Sequence, residues 1–246
     1  MITAELIDHM GTDLSVVNAA RVSFGKASEL GCGHCGSHKI RVEGTWASCV
    51  CLNCGKETDD LSDRILSTRD TKLINYLASH KHMSPFGHCF ASFHVKAPVF
   101  VARQLVKHKF LRINEVSRRY VNSDPEFYVP DVWRGVAADK KQGSSGAAES
   151  QYFPSLYCTR GNDEALANYR KMLFQGIAPE QARMILPQTM MTEWHWSGSL
   201  DAFADMCNLR CKEDTQYESR VVADVIDSIM QGLYPVSWRA IRGYDK

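Results

Sequence analysis

The sequence lacks a long hydrophobic run, and it lacks an excess of charge of either sign. Its 246 residues carry 29 basic and 28 acidic side chains, so a uniformly cationic surface for nucleic acid is not expected. No apolar run approaches the roughly 20 residues that a membrane helix needs. Residues 1–8 show no basic region followed by an apolar run. We therefore expect no secretory signal and no membrane segment, and we predict a cytoplasmic protein.

The composition also argues against disorder and against disulfides. With 44% hydrophobic and 23% charged residues, the chain is typical of a globular protein. Its length suffices for one large domain, or for one domain with an appendage. Nine cysteines in a cytoplasmic protein are predicted to be thiols or metal ligands.

Positive charge is concentrated in one stretch, residues 103–120. Glu115 is its only acid, against one histidine and six cations: Arg103, Lys107, His108, Lys109, Arg112, Arg118 and Arg119. Apolar residues alternate with these charges, which would fix the backbone while the cations point into a site. A helix beginning near Pro98 would put Arg103 and Lys107 on one face; its core-facing stripe would be Val99, Ala102 and Val106. The stretch predicts a site for a polyanion, with a surface helix of scattered cations as the alternative.

Two Cys-x-x-Cys pairs, each followed by glycine, interrupt the chain between residues 31 and 55: Cys32 with Cys35, and Cys51 with Cys54. The glycines let the backbone turn so that its amides face the sulfurs. Between the pairs, Lys39–Val42 and Thr45–Val50 alternate like two strands. This is the plan of a zinc ribbon over residues 31–57, a closed structural site whose metal would supply its folding free energy.

Alternatives to the zinc ribbon stay open at this point. The cysteines could form a redox dithiol pair or bind nothing. Cys49, His34 and His38 are spare donors that could replace a ligand. The basic residues of the segment, Lys39, Arg41 and Lys56, are too few to predict a nucleic-acid surface.

The remaining pattern predicts an α+β fold in which a sheet packs against helices and the ribbon lies between the first two helices. Predicted strands are 2–8, 88–97 and 126–130, and predicted helices are 13–24, 59–80, 162–175, 197–210, 214–231 and one from Pro179. Residues 131–150, rich in small and polar residues, are predicted as a loop, either a lid over a site or a plain connection.

The basic stretch resembles the signature of the flavin-dependent thymidylate synthases. Lys107-His108-Lys109 stands where that family usually has Arg-His-Arg, and the lead-in 93–104 is similar. The residues that follow in register are Asn114, Glu115, Ser117, Arg119 and Tyr120. The likeness covers most of the chain, 1–246, and leaves the ribbon as an insertion. It implies a mixed sheet packed against helices, and a homotetramer with shared active sites.

The activity that the resemblance implies is a methyl transfer, the reductive methylation of dUMP to dTMP. Methylene-tetrahydrofolate would donate the carbon, and FAD reduced by NADPH would donate the hydride. All four molecules are anions, which accounts for the local positive charge. No cysteine lies in the Pro-Cys-His context of the non-flavin thymidylate synthases.

The family's site residues carry over position by position. Against the flavin the resemblance places Ser23, His82, Ser84, Lys107, His108, Lys109, Glu115, Ser199, Asp201 and Asp205. On the nucleotide it places Gln104, Leu105, Val106, Lys107, Glu115, Val116, Ser117, Arg118, Arg119, Arg183 and Arg210. Arg210 would act in catalysis by stabilising negative charge on the uracil ring. Ser117 would bind and orient the substrate rather than attack it, because no general base adjoins it in sequence.

Four departures from the family pattern bear on function. Lysine is a point charge where the forked guanidinium of arginine makes two bonds; Ser84 replaces threonine, Gly87 replaces glutamate, and Asp201 reverses the charge of an arginine. These departures leave an alternative, a catalytically altered scaffold whose ribbon binds nucleic acid or protein. A flavoprotein that acts on another pyrimidine nucleotide is a third possibility.

Overall fold

The computed structural model describes residues 1–43, 48–58, 64–138 and 143–243. Within those ranges the chain forms eight α-helices and eleven β-strands. The helices are α1 (Asp13–Arg21), α2 (Thr68–Ser79), α3 (Val99–Leu105), α4 (Tyr152–Phe174), α5 (Pro179–Ala182), α6 (Leu200–Arg210), α7 (Tyr217–Leu233) and α8 (Pro235–Arg242). The strands are β1 (Thr3–Met10), β2 (Gly31–Cys32), β3 (Ile40–Glu43), β4 (Ser48–Cys51), β5 (Glu57–Thr58), β6 (Arg64–Ile65), β7 (Phe90–Pro98), β8 (Arg112–Glu115), β9 (Arg134–Val136), β10 (Ser144–Ala147) and β11 (Met191–Ser199). The predicted α+β class, a sheet packed against helices, is confirmed.

The chain divides into two compact units. The first comprises Met1–Asp8, Ala91–Gly198 and Asp205–Ile229, and the second comprises His9–Phe90, Ser199–Ala204 and the chain from Met230 on. No helix in the described part of the chain is long and apolar enough to cross a membrane.

The main sheet has the strand order β1-β7-β11-β8. β7 alternates as its sequence predicts: Ala91, Phe93 and Val95 are buried, with at most 1% of each residue exposed. β11 has no counterpart among the predicted strands. It runs antiparallel to β8, and its buried Trp194 lies opposite Glu115. β11 therefore fixes the position of β8, the strand that leads into the signature residues.

Two helices begin about ten residues from their predicted starts. α4 starts at Tyr152, well before Asn162, the predicted cap. Asn162 is instead buried within the helix, where its side-chain amide donates to Cys158 Sγ and its side-chain oxygen accepts a hydrogen bond from Thr189. α2 starts at Thr68 because Ser67 caps it, its Oγ accepting the backbone N–H of Asp70 at 3.1 Å. The predicted cap for that helix, at residues 59 and 60, lies outside the described residues.

The segment 131–150, predicted as a loop, contains a β-hairpin. β9 pairs antiparallel with β10, while residues 139–142 between them lie outside the described residues. Arg134 on β9 donates to Ser144 Oγ at 3.1 Å and forms an ion pair with the buried carboxylate of Glu218. This buried partner anchors the hairpin, and composition alone gives no sign of it.

Asp70, on α2, is hydrogen-bonded to α1 and to the chain on both sides of the inserted segment. Its carboxylate, 3% exposed, accepts hydrogen bonds from Arg21 Nη2 at 2.5 Å and Ser28 Oγ at 2.9 Å. Ser67 Oγ donates to the other oxygen at 2.7 Å. Burial opposes ionisation, but the hydrogen bonds from Ser67, Arg21 and Ser28 hold the pKa of Asp70 below its ordinary value. Asp70 is therefore a buried anion that depends on its partners.

Replacing Asp70 by asparagine should lower the free energy of unfolding by about 3 kcal/mol at neutral pH, because Arg21 is left with no counter-charge. The wild-type carboxylate has a depressed pKa, so its contribution is fully present above the unfolded pKa of about 3.9 and is lost as pH falls through the folded value. Urea unfolding of both proteins between pH 7 and pH 3 measures this. A difference that stays constant across that range would contradict the assignment.

Candidate functional site

A cavity of about 720 Å³ lies beside the basic stretch, within the first unit. α3, the end of β8 with the loop after it, and residues 180–192 supply its walls. The predicted residues that line it are Val106, Glu115, Val116, Ser117, Arg118, Arg119 and Arg183. Arg103 and Glu180 also line it, so four arginines stand against two carboxylates. The cavity has the charge and size of a site for a small anion.

The arginines of the cavity differ in how they are held. Arg119 approaches Ser117 Oγ twice, with its backbone N at 3.3 Å and its Nε at 3.4 Å. Arg183 Nε donates to the backbone oxygen of Glu180 at 3.2 Å. Arg118 donates through Nη1 to the backbone oxygen of Ser123, while its Nε is buried without a partner. A buried donor without an acceptor is costly, and an anion in the cavity would supply acceptors for this group.

Glu115 and Ser117 have their geometry fixed by neighbours. Glu115 Oε1 accepts a hydrogen bond from Thr192 Oγ1 on β11 at 2.7 Å. No carboxylate or imidazole within the described ranges is hydrogen-bonded to Ser117 Oγ, whose recorded contacts are those from Arg119. The arrangement favours a structural role for Glu115 rather than that of a general base. It favours an orienting role for the Ser117 hydroxyl rather than that of a nucleophile.

Arg210, at the end of α6, does not line the cavity and is hydrogen-bonded to His108. Its Nε donates to His108 Nε2 at 2.9 Å, and its Nη2 donates to the backbone oxygen of Gln104 at 3.4 Å. Burial, and secondly the charge of Arg210, lowers the pKa of His108 to about 4. His108 is therefore a neutral acceptor near pH 7, and it fixes the direction of the guanidinium.

Several other predicted nucleotide contacts also lie outside the cavity. Gln104 contacts the start of α7, where it donates to Gln216, the residue before the helix, and accepts from Ser219 Oγ at 3.1 Å. Leu105 is fully buried. α3 ends at Leu105, so Lys107 does not share a helical face with Arg103. The predicted core stripe is wrong in two of its three members, because Val99 and Val106 line the cavity and the buried residues of α3 are Val101, Ala102 and Leu105.

The Lys-His-Lys triplet is presented by a strained turn. Lys107 and Lys109 are exposed, and Phe110 has a φ of 65°, which is rare for a residue with a side chain. Gly198 on β11 makes room for this turn, because a Cβ there would meet Leu111 Cδ2 at 2.3 Å. Strain of this kind is typical of functional turns.

The other predicted flavin contacts belong to the second unit, except Asp205, which is exposed on α6 in the first. Ser23, His82 and Ser84 are exposed. The rings of Tyr76 and His80 stack at 4.0 Å, and His82 lies edge-on to Tyr76 at 6.1 Å. This exposed group of rings is suited to a flat ligand.

Two departures from the family pattern, Gly87 and Asp201, are neighbours in space. A Cβ on Gly87 would come 3.9 Å from Asp201 Oδ1. Ser199 Oγ donates to that same oxygen at 2.5 Å. A glutamate at position 87 would set two carboxylates against each other, so the missing glutamate and the reversed charge are compatible. Asp201 can accept hydrogen bonds from hydroxyls, but it does not suit a diphosphate.

The four cysteines of the inserted segment converge, with all four sulfurs within 4.8 Å of one another. Cys32 Sγ lies 3.9 Å from Cys54 Sγ, and Cys35 Sγ lies 3.6 Å from Cys51 Sγ. The backbone N–H of Ser37 and the side-chain amide of Asn53 hold the pKa of the Cys35 thiol below its usual value. His34 and His38 are not members of this group, and the side chain of Cys49 lies outside the described residues.

Arg103, Thr192 and Glu180 belong to the site without having been assigned to it from the sequence. Arg103 could have been assigned to the site from the sequence, since it is one of the six cations of the basic stretch. Thr192 could not, because its role depends on the pairing of β11 with β8. Glu180 lies in the turn of chain before Arg183 and enters the cavity with it.

Comparison with known proteins identifies close likenesses. A family model described as "Thymidylate synthase complementing protein" matches residues 5–236. A flavin-dependent thymidylate synthase of Thermus thermophilus is 34% identical over 235 residues, which are 96% of this chain and 73% of that protein. One from Treponema denticola is 33% identical over 247 residues, covering 98% of this chain and 79% of that protein.

Similar solved structures show a methylase with pyrimidine nucleotides. The crystal structure of the UMP/dUMP methylase PolB from Streptomyces cacaoi, bound with 5-Br dUMP, has a TM-score of 0.76 and 28% identity, and covers 99% of this chain and 95% of that chain. The structure of the same methylase bound with 5-Br UMP also has a TM-score of 0.76, with 27% identity.

Proposed function

The chain belongs to the family of flavin-dependent thymidylate synthases, and from this premise we propose that it methylates dUMP to dTMP with a flavin as the source of hydride. It is an enzyme of the thymidylate synthase type. The observation that carries the proposal for this chain is the cavity in which Arg103, Arg118, Arg119 and Arg183 stand against Glu115 and Glu180. A nucleoside monophosphate brings about two negative charges to that excess of positive charge.

We assign the phosphate of dUMP to Arg119 and Arg183. They come from two different segments of the chain, and each is already oriented through its Nε. This leaves the terminal nitrogens of both guanidinium groups to form charge-assisted hydrogen bonds. Ser117, fixed by Arg119, would accept or donate a hydrogen bond to the nucleotide, and Glu115 would hold the loop to β11 through Thr192.

The chemical step requires negative charge to build up on the pyrimidine ring as its C5 becomes nucleophilic. We propose that Arg210 stabilises this charge, because a guanidinium fixed in direction before the reaction needs no reorganisation during it. Neutral His108 supplies the fixing, since its Nε2 accepts from Arg210. Lys107 and Lys109, exposed on the same turn, would attract the anionic substrates without fixing their orientation.

FAD is the cofactor that the family uses, and when reduced it supplies a hydride. We propose that His82 and Ser84, with the neighbouring ring of Tyr76, hold its ring system and that Ser23 and Ser199 bond its polar atoms. Asp201 would accept from hydroxyl groups. The negative charge of Asp201 and the lysines in place of arginines predict weaker or reoriented binding of the dinucleotide, rather than its loss.

The co-substrates and the assembly are further proposals. We assign NADPH as the reductant and methylene-tetrahydrofolate as the carbon donor. We also propose the homotetramer with shared sites that the family resemblance implies. An interface is supported by α4, in which only Asn162 and Tyr169 are buried and which exposes Tyr152 and Phe153. Exposed aromatic surface of this kind favours an interface. A cytoplasmic location remains our prediction.

UMP is a second candidate substrate. The methylase PolB is named for both UMP and dUMP and was crystallised with analogues of each. UMP carries the same phosphate and ring as dUMP, so the cationic cavity would accept either. We therefore expect methylation of dUMP and propose that UMP be tested as a competitor under the same conditions.

The visible spectrum of the purified protein is the test of this function. We expect flavin bands, anaerobic bleaching by NADPH, and reoxidation by dUMP with methylene-tetrahydrofolate at the rate at which dTMP forms. Formation of 5-methyl-UMP from UMP would extend the substrate range. A protein that holds no flavin even when FAD is supplied would overturn the proposal and favour the altered scaffold.

A further inference from the structure

The inserted segment brings together thiols from two separate loops that no catalytic role uses. Each loop has the form Cys-x-x-Cys-Gly, and the two are joined by the β3–β4 hairpin, whose register pairs Ile40 with Cys51. The four sulfurs lie within 4.8 Å of one another although Cys32 and Cys54 are far apart in sequence. Four convergent thiols at this spacing are typical of a structural zinc site.

We propose that Cys32, Cys35, Cys51 and Cys54 bind one Zn²⁺ in a closed site made entirely of thiolates, and that this ion is what folds the insert. Two of the six sulfur–sulfur distances are close to the edges of a tetrahedron, and the others are at most 4.8 Å. A zinc–sulfur bond of about 2.3 Å gives sulfur–sulfur edges of about 3.8 Å. The two recorded sulfur contacts, at 3.6 and 3.9 Å, lie on either side of that value.

The same distances exclude a pair of disulfides in this structure. A disulfide would require about 2.05 Å, and all four cysteines are free thiols. The contacts at 3.6 and 3.9 Å both cross from one Cys-x-x-Cys pair to the other. Two independent redox dithiols would not require such crossing contacts, so they favour one ion shared by all four sulfurs.

The backbone around the sulfurs has the form of a metal site. Gly36 and Gly55 follow their cysteines with φ of 71° and 69°, and their N–H groups donate to the carbonyls of Cys32 and Cys51 at 2.7 and 2.8 Å. This left-handed turn aims the N–H of Ser37 at Cys35 and that of Lys56 at Cys54. Such donors stabilise thiolates and orient ligands around a metal.

The part of the insert whose burial is described shows little apolar packing. Among those residues of 33–57, Cys51 alone is buried, and Leu52 is 59% exposed. Packing of this extent does not offset the entropy of ordering a chain. Metal binding would supply that free energy, as in other small metal-dependent folds.

A second group of potential donors, formed by Cys207, Cys211 and Asp227, does not compete with this site. Cys207 Sγ is committed to the backbone oxygen of Ala223 at 3.7 Å. The group offers three donors, one fewer than a closed structural zinc site requires. We therefore assign the metal to the insert.

Metal analysis of the full-length protein, purified without chelators, tests the proposal. We expect about one zinc ion per chain, and at least tenfold less in Cys35→Ser and Cys54→Ser, whose exposed side chains can be changed with little loss of packing. Cys158→Ser removes a thiol outside the insert and should keep the full content. Cobalt substituted for zinc should show the visible bands of a tetrahedral tetrathiolate. Undiminished zinc in Cys35→Ser, or a wild type that holds none with Zn²⁺ supplied, would overturn the site.

Proteolysis of the wild-type protein separates a folding role from mere binding and requires no variant. After removal of zinc by a chelator, we expect rapid cleavage within residues 33–57 and recovery of resistance when Zn²⁺ is returned. dUMP binding should persist, because none of the residues that line the cavity belongs to the insert. An insert that stays resistant after losing its zinc would contradict the folding role, whatever the protein's catalytic activity.

Discussion

Arg210→Ala is expected to lower turnover by about 10²- to 10³-fold, the effect of removing one fixed donor that stabilises charge in a transition state. KM for dUMP should change far less, because Arg210 does not line the cavity that we assign to the phosphate. Reduction of the bound flavin by NADPH should also be unchanged. The loss would therefore appear only in the half-reaction that consumes dUMP, where single-turnover kinetics can measure it.

The contact between Arg210 and His108 gives this prediction a structural readout. The charge of Arg210 is the second cause that depresses the pKa of His108, after burial. Removing the guanidinium should raise that pKa part of the way toward its ordinary value of about 6.5, which NMR titration of His108 can follow. Because a folded pKa below the unfolded one costs stability as pH falls through that interval, the variant should lose less stability in mild acid than the wild type.

Two further substitutions control the experiment. Arg210→Lys keeps the charge but not the two-armed donor, so it should recover only part of the lost rate. Arg69→Ala removes an exposed arginine of α2 and should leave turnover unchanged. Equal losses in kcat/KM for Arg210→Ala and Arg69→Ala would contradict a specific role for Arg210.

The sequence predicts features that depend on local pattern. The alternation of Ala91, Phe93 and Val95 is sufficient to identify β7, and the two Cys-x-x-Cys-Gly motifs identify loops that the structure closes into one cluster. These predictions succeed because a period of two residues, or a turn at glycine, is set by neighbours in the chain. The signature residues Ser117 and Arg119 likewise lie close together because both belong to one short loop.

Features that depend on distant segments are not readable in this way. Asn162 looks like a helix cap, yet it is buried in α4 because Thr189, which follows α5, bonds to it. Gly87 and Asp201 look like separate departures until the fold brings them together. Gln104 looks like a ligand contact, but α7 occupies its side chain. In each case the decisive partner lies far away in sequence, and no local propensity encodes it.

Arg183→Ala is expected to weaken dUMP binding about 10- to 100-fold, the loss of charge-assisted hydrogen bonds to one phosphate. The comparison that isolates the phosphate uses deoxyuridine, which has the same base and sugar without it. Deoxyuridine should bind more weakly than dUMP, and its affinity should be the same for the wild type and the variant. Isothermal titration of both ligands with both proteins gives the coupling between the guanidinium and the phosphate directly.

Glu180→Gln is the matched control, because Glu180 lies in the same cavity and bonds to Arg183 only through its backbone oxygen. Removing its carboxylate leaves that hydrogen bond intact and makes the cavity more positive. dUMP affinity should therefore hold or increase, opposite in sign to the effect of Arg183→Ala. An equal loss of deoxyuridine and dUMP affinity in Arg183→Ala would mean that the arginine supports the walls of the cavity. The phosphate would then have to be reassigned to Arg103 and Arg119.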